Sequence, residues 1–220
     1  MDKPYEWSSF QVVNKIRWVL RKQFHLKKLK VGHAGTLDPL ATGLLLLCTG
    51  KFTKRIAGLQ GMTKEYTGTI TLGATTPSYD LETAPDATYR YDHITKDSIL
   101  AATRKFMGNI MQKPPVFSAL KKDGKRLYEY AREGEAVKVN AREISIHEFE
   151  ITHINLPEIN FRVVCSKGTY IRSLAHDFGK ELGSGAHLSS LRRTKIGDYN
   201  VINAITPQAF EAMVLHEEKK

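Results

Sequence analysis

Cysteine is scarce in this chain. Its 220 residues hold two, Cys48 and Cys165, far apart and in no CxxC pair, which excludes a disulfide scaffold and a cysteine-rich zinc site. Long apolar runs are missing as well: the longest, Leu44 to Cys48, is far too short to span a bilayer. The start, Met1-Asp2-Lys3-Pro4, offers no apolar signal segment. There is no internal repeat, no low-complexity tract and no clear linker. These absences leave a cytoplasmic enzyme or binding protein, with no membrane partner.

Negative charge is also thin, and unevenly so. Lys plus Arg number 33 against 23 Asp plus Glu, a net charge of +10, which favours a polyanionic partner, nucleic acid before anionic membrane. Between Trp7 and Lys64 lie eleven basic residues and a single carboxylate, Asp38. A lone anion in a basic groove repels a phosphate backbone, so it is a poor choice for holding RNA and a reasonable one for chemistry on a base. Asp before Pro also starts turns, and spacing alone favours that plainer reading.

Familiar catalytic patterns are missing too. Gly43 to Lys51 has the wrong spacing for a phosphate loop, and Phe52 follows the lysine where Ser or Thr is required. No GxGxxG opens a helix and no GxSxG elbow is present. His176 and Asp177 have no metal-ligand spacing around them and read as a solvated face.

What is present is the alternation of an α+β protein, expected as one domain over residues 1–220 with long loops on a mixed, mostly antiparallel sheet flanked by helices. Ser8 and Ser9 can cap a helix running to about Phe24, with Phe10, Val13, Ile16, Val19 and Leu20 on its apolar face. Gly32 to Pro39 reads as a loop and Thr67 to Leu72 as a half-buried strand. Residues 75–95 read as polar loop. A helix is expected over Asp97 to Met107 and a short one over Arg126 to Glu133. Strands are expected near Ile144 to Leu156 and Ile159 to Cys165. Ile171, Leu174, Ala175, Phe178 and Leu182 recur at helical spacing, and Thr206-Pro207 opens a last helix.

The run Gly32-His33-Ala34-Gly35-Thr36-Leu37-Asp38-Pro39-Leu40-Ala41-Thr42-Gly43-Leu44 resembles the GHxGTLDPxATGxL signature of the TruB family of pseudouridine synthases. Other blocks resembling that family follow in order: Lys3-Pro4 with Trp7-Ser8-Ser9-Phe10, Lys64-Glu65-Tyr66, Pro114 to Lys121 with Gly124 to Tyr128, Cys165 to Arg172, and Leu191-Arg192-Arg193-Thr194. The resemblance covers nearly the whole chain. One departure is Glu6, where the family usually has glycine. Another is the absence of room for the C-terminal PUA domain that many bacterial members carry, so the chain resembles a short form or a truncated one.

The resemblance implies the pseudouridine synthase catalytic fold and isomerisation of a uridine in the T-loop (TΨC arm) of tRNA. Asp38 would be the catalytic carboxylate, attacking either C1' of the ribose or C6 of the uracil, with no metal and no cofactor required. Tyr66 would stack on the target base and assist proton removal from C5, and Arg172 would pair with Asp38 and orient it. His33 would occupy space beside the flipped nucleotide, and Tyr170 and Leu191 would line the base pocket. Lys3 and Lys64 match motif positions and read as structural or phosphate-facing.

Residues 113–142 hold eight basic and four acidic side chains together with Phe117, Tyr128 and Tyr130. They read as an RNA-binding insertion. The expected RNA contacts are Lys64, Lys121, Lys125 and Arg126. The partner implied is tRNA through its T-arm, with no obligatory protein partner and a monomeric enzyme. Two other readings stay open: a relative directed by a guide RNA, like the H/ACA synthases, and an RNA-binding or RNA-folding protein whose catalysis is incidental or lost.

Overall fold

The computed structural model describes every residue except 119, 120, 123, 134, 136, 138 and 217–220, with the side chains of 121, 122, 126, 131, 132 and 216 also outside the description. In chain order it begins with β1 (Asp2–Lys3), α1 (Ser9–Gln23), β2 (Val31–His33), β3 (Thr42–Leu44), β4 (Leu47–Thr49), a 3-10 segment (Gly50–Arg55), α2 (Ile56–Gly61) and β5 (Lys64–Leu72). There follow β6 (Ala74–Thr75), β7 (Ala87–Thr88), α3 (Lys96–Lys105), β8 (Gly108–Gln112), β9 (Lys121–Lys122), β10 (Lys125–Arg126) and α4 (Leu127–Arg132). The chain continues through β11 (Arg142–Asn155), β12 (Glu158–Cys165), α5 (Ile171–Glu181), β13 (Ala186–Ile196), β14 (Tyr199–Asn200), a second 3-10 turn (Val201–Asn203) and α6 (Pro207–His216). Two compact units result, Met1–Tyr66 with Leu191–Lys220, and Thr67–Ser190.

In the first unit, β1 pairs antiparallel with β3, β3 pairs parallel with the end of β13, and β14 folds back antiparallel on β13. Helix α1 starts where the sequence places it: Ser8 accepts from the Gln11 amide while the Gln11 side chain accepts from the Ser8 amide, a closed capping box. Its buried stripe is Ser9, Val12, Val13, Ile16 and Val19, and Val12, Ile16 and Leu45 form a core with Met1, Trp7, Leu20, Leu47 and Phe210 packed around it. Phe10 does not join them and is 62% exposed. At a helical turn of about 100° per residue, Phe10 points roughly a third of a turn away from the Ser9–Val12–Ile16–Val19 stripe.

In the second unit the strands lie in the order β13-β5-β12-β11-β8, with β11 antiparallel to both β12 and β8. Ile159, Phe161, Val163 and Cys165 all point into the core from β12, as their alternation requires. Phe149 of β11 is the centre of an aromatic cluster, 6.1 Å from Phe161, 5.4 Å from Phe178 of α5 and 6.4 Å from Phe106 between ring centroids. Gly68 is required on β5, because a Cβ there would sit 2.4 Å from the Ser190 carbonyl oxygen.

The expectation of an α+β protein with a mixed, mostly antiparallel sheet matches this architecture. The sequence reading did not anticipate the long strand β13. The residues 75–95, expected as plain polar loop, contain the short pair β6–β7 and bury Thr75, Thr76, Ser78 and Asp80. His176 and Asp177 are not a solvated face: His176 is buried and stacks on Tyr79 at 3.8 Å, nearly parallel. The helical period puts His176 inward, one turn from Ser173 and next to Ala175, so burial of that face of α5 takes the imidazole with it. Burial, with Lys180 nearby, pushes His176 down to about 4, and burial pushes Asp177 up.

Candidate active site

The segment carrying Asp38 runs from β2 to β3 in the first unit and owes its shape to side chains from elsewhere in that unit. Ser9, expected only as a helix cap, accepts from the Leu37 amide (2.8 Å) and donates to the Leu37 carbonyl (3.0 Å). Asp38-Pro39-Leu40-Ala41 closes a turn in which the Ala41 amide donates to the Asp38 carbonyl at 3.1 Å, with proline at the position that its fixed φ suits. Ala34, Leu37 and Ala41 point inward and are buried, while Asp38 is half-buried.

Two buried cations complete the loop. Lys3 is fully buried, and its ammonium donates to the carbonyls of Pro4 (2.9 Å), Trp7 (2.5 Å) and Pro39 (3.1 Å). Burial depresses its pKa to about 8, with the Asp38 carboxylate pulling it upward. Arg193 is buried too, and its guanidinium donates to the carbonyls of Leu44 (2.8 Å), Gly35 (3.1 Å) and Thr36 (3.5 Å). The parallel pairing of Arg193 with Gly43 brings the two backbones so close that a Cβ on Gly43 would lie 2.3 Å from the Arg193 carbonyl oxygen. Gly43 therefore serves close approach, and its φ of 103° suits glycine alone. Sequence reasoning placed Arg193 in a motif without giving it a role.

The other residues singled out in this unit are placed as follows. His33, at the end of β2, has its pKa lowered by burial and by Arg193, against a backbone hydrogen bond at Gly35. It is neutral near pH 7. Tyr66 is buried on β5, on the same face as Lys64. The buried Lys64 ammonium donates to the Gln60 and Met62 carbonyls, both at 2.5 Å, contacts of the kind a structural lysine makes. Glu65, on the opposite face, accepts from Thr194 (2.7 Å) and pairs with Lys195 (3.2 Å). Leu191 is half-buried on β13, outside the closed core. Glu6 holds a left-handed φ of 63°, so the chain keeps the backbone that a glycine favours there.

In the second unit, Tyr170 is the N-cap of α5 and Arg172 lies in its first turn. Arg172 is buried and donates to the carbonyls of Ser78 (3.0 Å) and Phe117 (2.9 Å), with Nε 3.6 Å from the Asp80 carboxylate. Asp80 and Ser78, buried in a stretch that looks like loop in the sequence, are what the sequence reading missed beside Arg172. Two further contacts hold this helix start. Gln112 brackets the Tyr170 main chain, and Arg142 lays its guanidinium over the Tyr170 ring, 4.8 Å from the centroid.

Within the expected RNA-binding insertion, Lys125 pairs with Glu133 and sits 4.5 Å over the Tyr130 ring. The side chains of Lys121 and Arg126 lie outside the described residues. Among the described residues no group of three or more His, Cys, Asp or Glu is placed to hold a metal ion, and no helix is long and apolar enough to cross a membrane.

Comparison with known proteins places this arrangement. Residues 21–171 match the model of the TruB family pseudouridylate synthase N-terminal domain. Residues 172–220 match that of the tRNA pseudouridylate synthase B C-terminal domain. A protein of Flavobacterium johnsoniae named tRNA pseudouridine synthase B is 65% identical over 96% of this chain and 93% of its own length. One of the same name from Phocaeicola vulgatus is 54% identical over 99% and 92%. Among solved structures, a chain of a Cbf5-Nop10-Gar1 complex superposes with a TM-score of 0.72 at 29% identity over 99% of this chain. A chain of an H/ACA RNP bound to a substrate RNA containing 2'-deoxyuridine gives 0.69 at 27% over 100%. This chain spans about half the length of each of those solved chains, 54% in both cases. The chain belongs to the TruB family of pseudouridylate synthases.

Proposed function

We propose that this chain is an isomerase that converts uridine to pseudouridine in the T-loop of tRNA, with Asp38 as the catalytic carboxylate. The observation that carries the reading is the Asp38 loop itself: a family signature whose backbone is pinned by Ser9, Lys3 and Arg193 while the Asp38 side chain is left half-buried. Such anchoring holds a carboxylate ready without asking it to support the fold. The reaction breaks the C1'–N1 bond, turns the base, joins C1' to C5 and moves the C5 proton away while N1 regains one, so no redox partner is consumed. Either covalent route, through C1' or through C6, needs the same carboxylate.

In this reading Tyr66 stacks on the flipped base and assists loss of the C5 proton, and Arg172 pairs with and orients Asp38. His33 fills space beside the extruded nucleotide, and Tyr170 and Leu191 line the pocket. Flipping the target base costs a few kcal/mol, which the grip of Lys121, Lys125 and Arg126 in the 113–142 insertion helps to offset through phosphate contacts. Residues 1–220 act as one catalytic domain, in the cytoplasm, as a monomer that requires no protein partner.

Single-site pseudouridine mapping on unmodified tRNA transcripts tests the proposal. Pseudouridine should form at the T-loop uridine alone, on naked tRNA, and vanish when that uridine is replaced by cytidine. Modification that requires an added guide RNA, or none on any tRNA despite tight binding, would contradict it. The likeness to H/ACA chains makes the guide-RNA arm worth running.

A further inference from the structure

We propose that Gln112 is a positioning residue for the reaction, its carboxamide clamping the main chain of Tyr170 and so fixing how the chain enters α5. The inference rests on the roles given above to Tyr170 and Arg172. Gln112 is the last residue of β8 and almost completely buried. Its Nε2 donates to the Tyr170 carbonyl at 3.0 Å, and its Oε1 accepts from the Tyr170 amide at 2.8 Å. One side chain thus makes the two hydrogen bonds that a neighbouring strand residue would make, at a position where the strand ladder has ended and a helix is about to begin.

The need for such a clamp follows from the local sequence. Tyr170 is the N-cap of α5, its side chain makes no capping hydrogen bond, and the first turn holds no acidic residue. Helix starts leave amides without intrahelical partners, and a tyrosine cannot supply the acceptor that Ser, Thr, Asp or Asn would. The Tyr170 carbonyl already accepts the first intrahelical bond, from the Leu174 amide at 3.1 Å, so the Gln112 amide group is its second donor. A buried carboxamide that spends both its donor and its acceptor on one residue fixes that residue's peptide planes on either side.

Neighbouring contacts extend the same grip. Arg142, directly across from Gln112 in the β8–β11 register, holds the Tyr170 ring by its guanidinium and donates to the Gly168 carbonyl. Ser173 donates to the Lys113 carbonyl at 2.8 Å, and Arg172 to the Phe117 carbonyl at 2.9 Å. The stretch 112–117 is thereby stitched to residues 170–173, and Gln112 is the member of that seam that sets the backbone from which the Tyr170 and Arg172 side chains both project. A displacement of about an ångström at a reacting group can cost on the order of a hundredfold in rate.

The test compares Gln112→Met, Gln112→Glu and Tyr170→Ala with the parent enzyme, measuring single-turnover pseudouridine formation, tRNA affinity and thermal melting. Gln112→Met keeps the shape and loses both hydrogen bonds. It should stay folded and bind tRNA within about threefold while turning over roughly ten- to a hundredfold more slowly. In Gln112→Glu, an ionised carboxylate can accept from the Tyr170 amide but repels its carbonyl, whereas the protonated acid restores the donor. Its activity relative to parent should therefore rise as pH is lowered, a response that Gln112→Met lacks. Slow turnover of Tyr170→Ala beside an unimpaired Gln112→Met would overturn the positioning role and leave the reading of Tyr170 standing. An unimpaired Tyr170→Ala would overturn the reading of Tyr170 on which the clamp rests. A Gln112→Met deficit lying wholly in melting or in tRNA affinity would make the residue structural and overturn the inference.

Discussion

The loop that carries Asp38 and the start of α5 that carries Tyr170 and Arg172 are held by different sets of groups. Each is irregular backbone that must present a side chain. At the loop, full charges hold carbonyls: Lys3 ties the Pro39 carbonyl to those of Pro4 and Trp7, and Arg193 ties the Gly35 and Thr36 carbonyls to that of Leu44. At the helix start, the Tyr170 main chain is held by a neutral group, the Gln112 carboxamide, with the neutral Ser173 hydroxyl on the Lys113 carbonyl and the Arg142 guanidinium on the Gly168 carbonyl beside it. A basic residue in a motif can serve the protein's own backbone. Lys3, Lys64 and Arg193 spend their donors on the protein's own backbone, where loss of a partner strands several buried carbonyls at once.

The largest expected effect is on the charged side of that comparison. Arg193→Met removes the donors to two loop carbonyls and to that of Leu44 in β3 and should cost about 3 kcal/mol of stability, read by denaturant unfolding. A variant as stable as the parent would show that the loop does not depend on its cation. Lys3 gives a pH signature. Its folded pKa is about 8 against 10.5 for an ordinary lysine, so between those values the unfolded chain binds the extra proton and stability rises with pH. Lys3→Met should flatten the stability profile across that window relative to the parent, and an unchanged slope would contradict the assignment. On the neutral side, Ser173→Ala removes one hydroxyl donor from a carbonyl and should cost only about 1 kcal/mol. A loss matching that of Arg193→Met would erase the distinction between the two regions.

Much of this was legible in the sequence, and the parts that were not have physical reasons. The Ser8 cap, the β12 alternation and the α5 stripe follow from local pattern, because each element buries one face of a regular period. The Asp38 loop was legible as a motif, but its anchors were not. Ser9 reads as a helix cap, and only the fold brings its hydroxyl to Leu37. Strand β13 escaped because Ser189 and Ser190 followed by Arg192, Arg193 and Lys195 look like surface, while one of those charges is turned inward to hold carbonyls. Ser78 and Asp80 read as loop because polar residues among prolines signal exposure, and a buried arginine 92 to 94 positions away reverses that. Gln112 gave no signal at all, since its two hydrogen bonds go to main chain far off in sequence.

Asp38 is the residue proposed to perform the chemistry, on a loop whose backbone Lys3, Ser9 and Arg193 anchor. The most direct measurement is pseudouridine formation on a tRNA transcript by Asp38→Asn beside the parent, with tRNA affinity determined on the same preparations. Asparagine keeps the shape and removes the carboxylate, and the anchors Lys3, Ser9 and Arg193 stay in place. No detectable pseudouridine is expected at the T-loop uridine, with affinity kept within about threefold, because the substitution leaves the basic residues of 113–142 proposed to contact phosphates unchanged. Substantial turnover by Asp38→Asn would contradict the role proposed for Asp38.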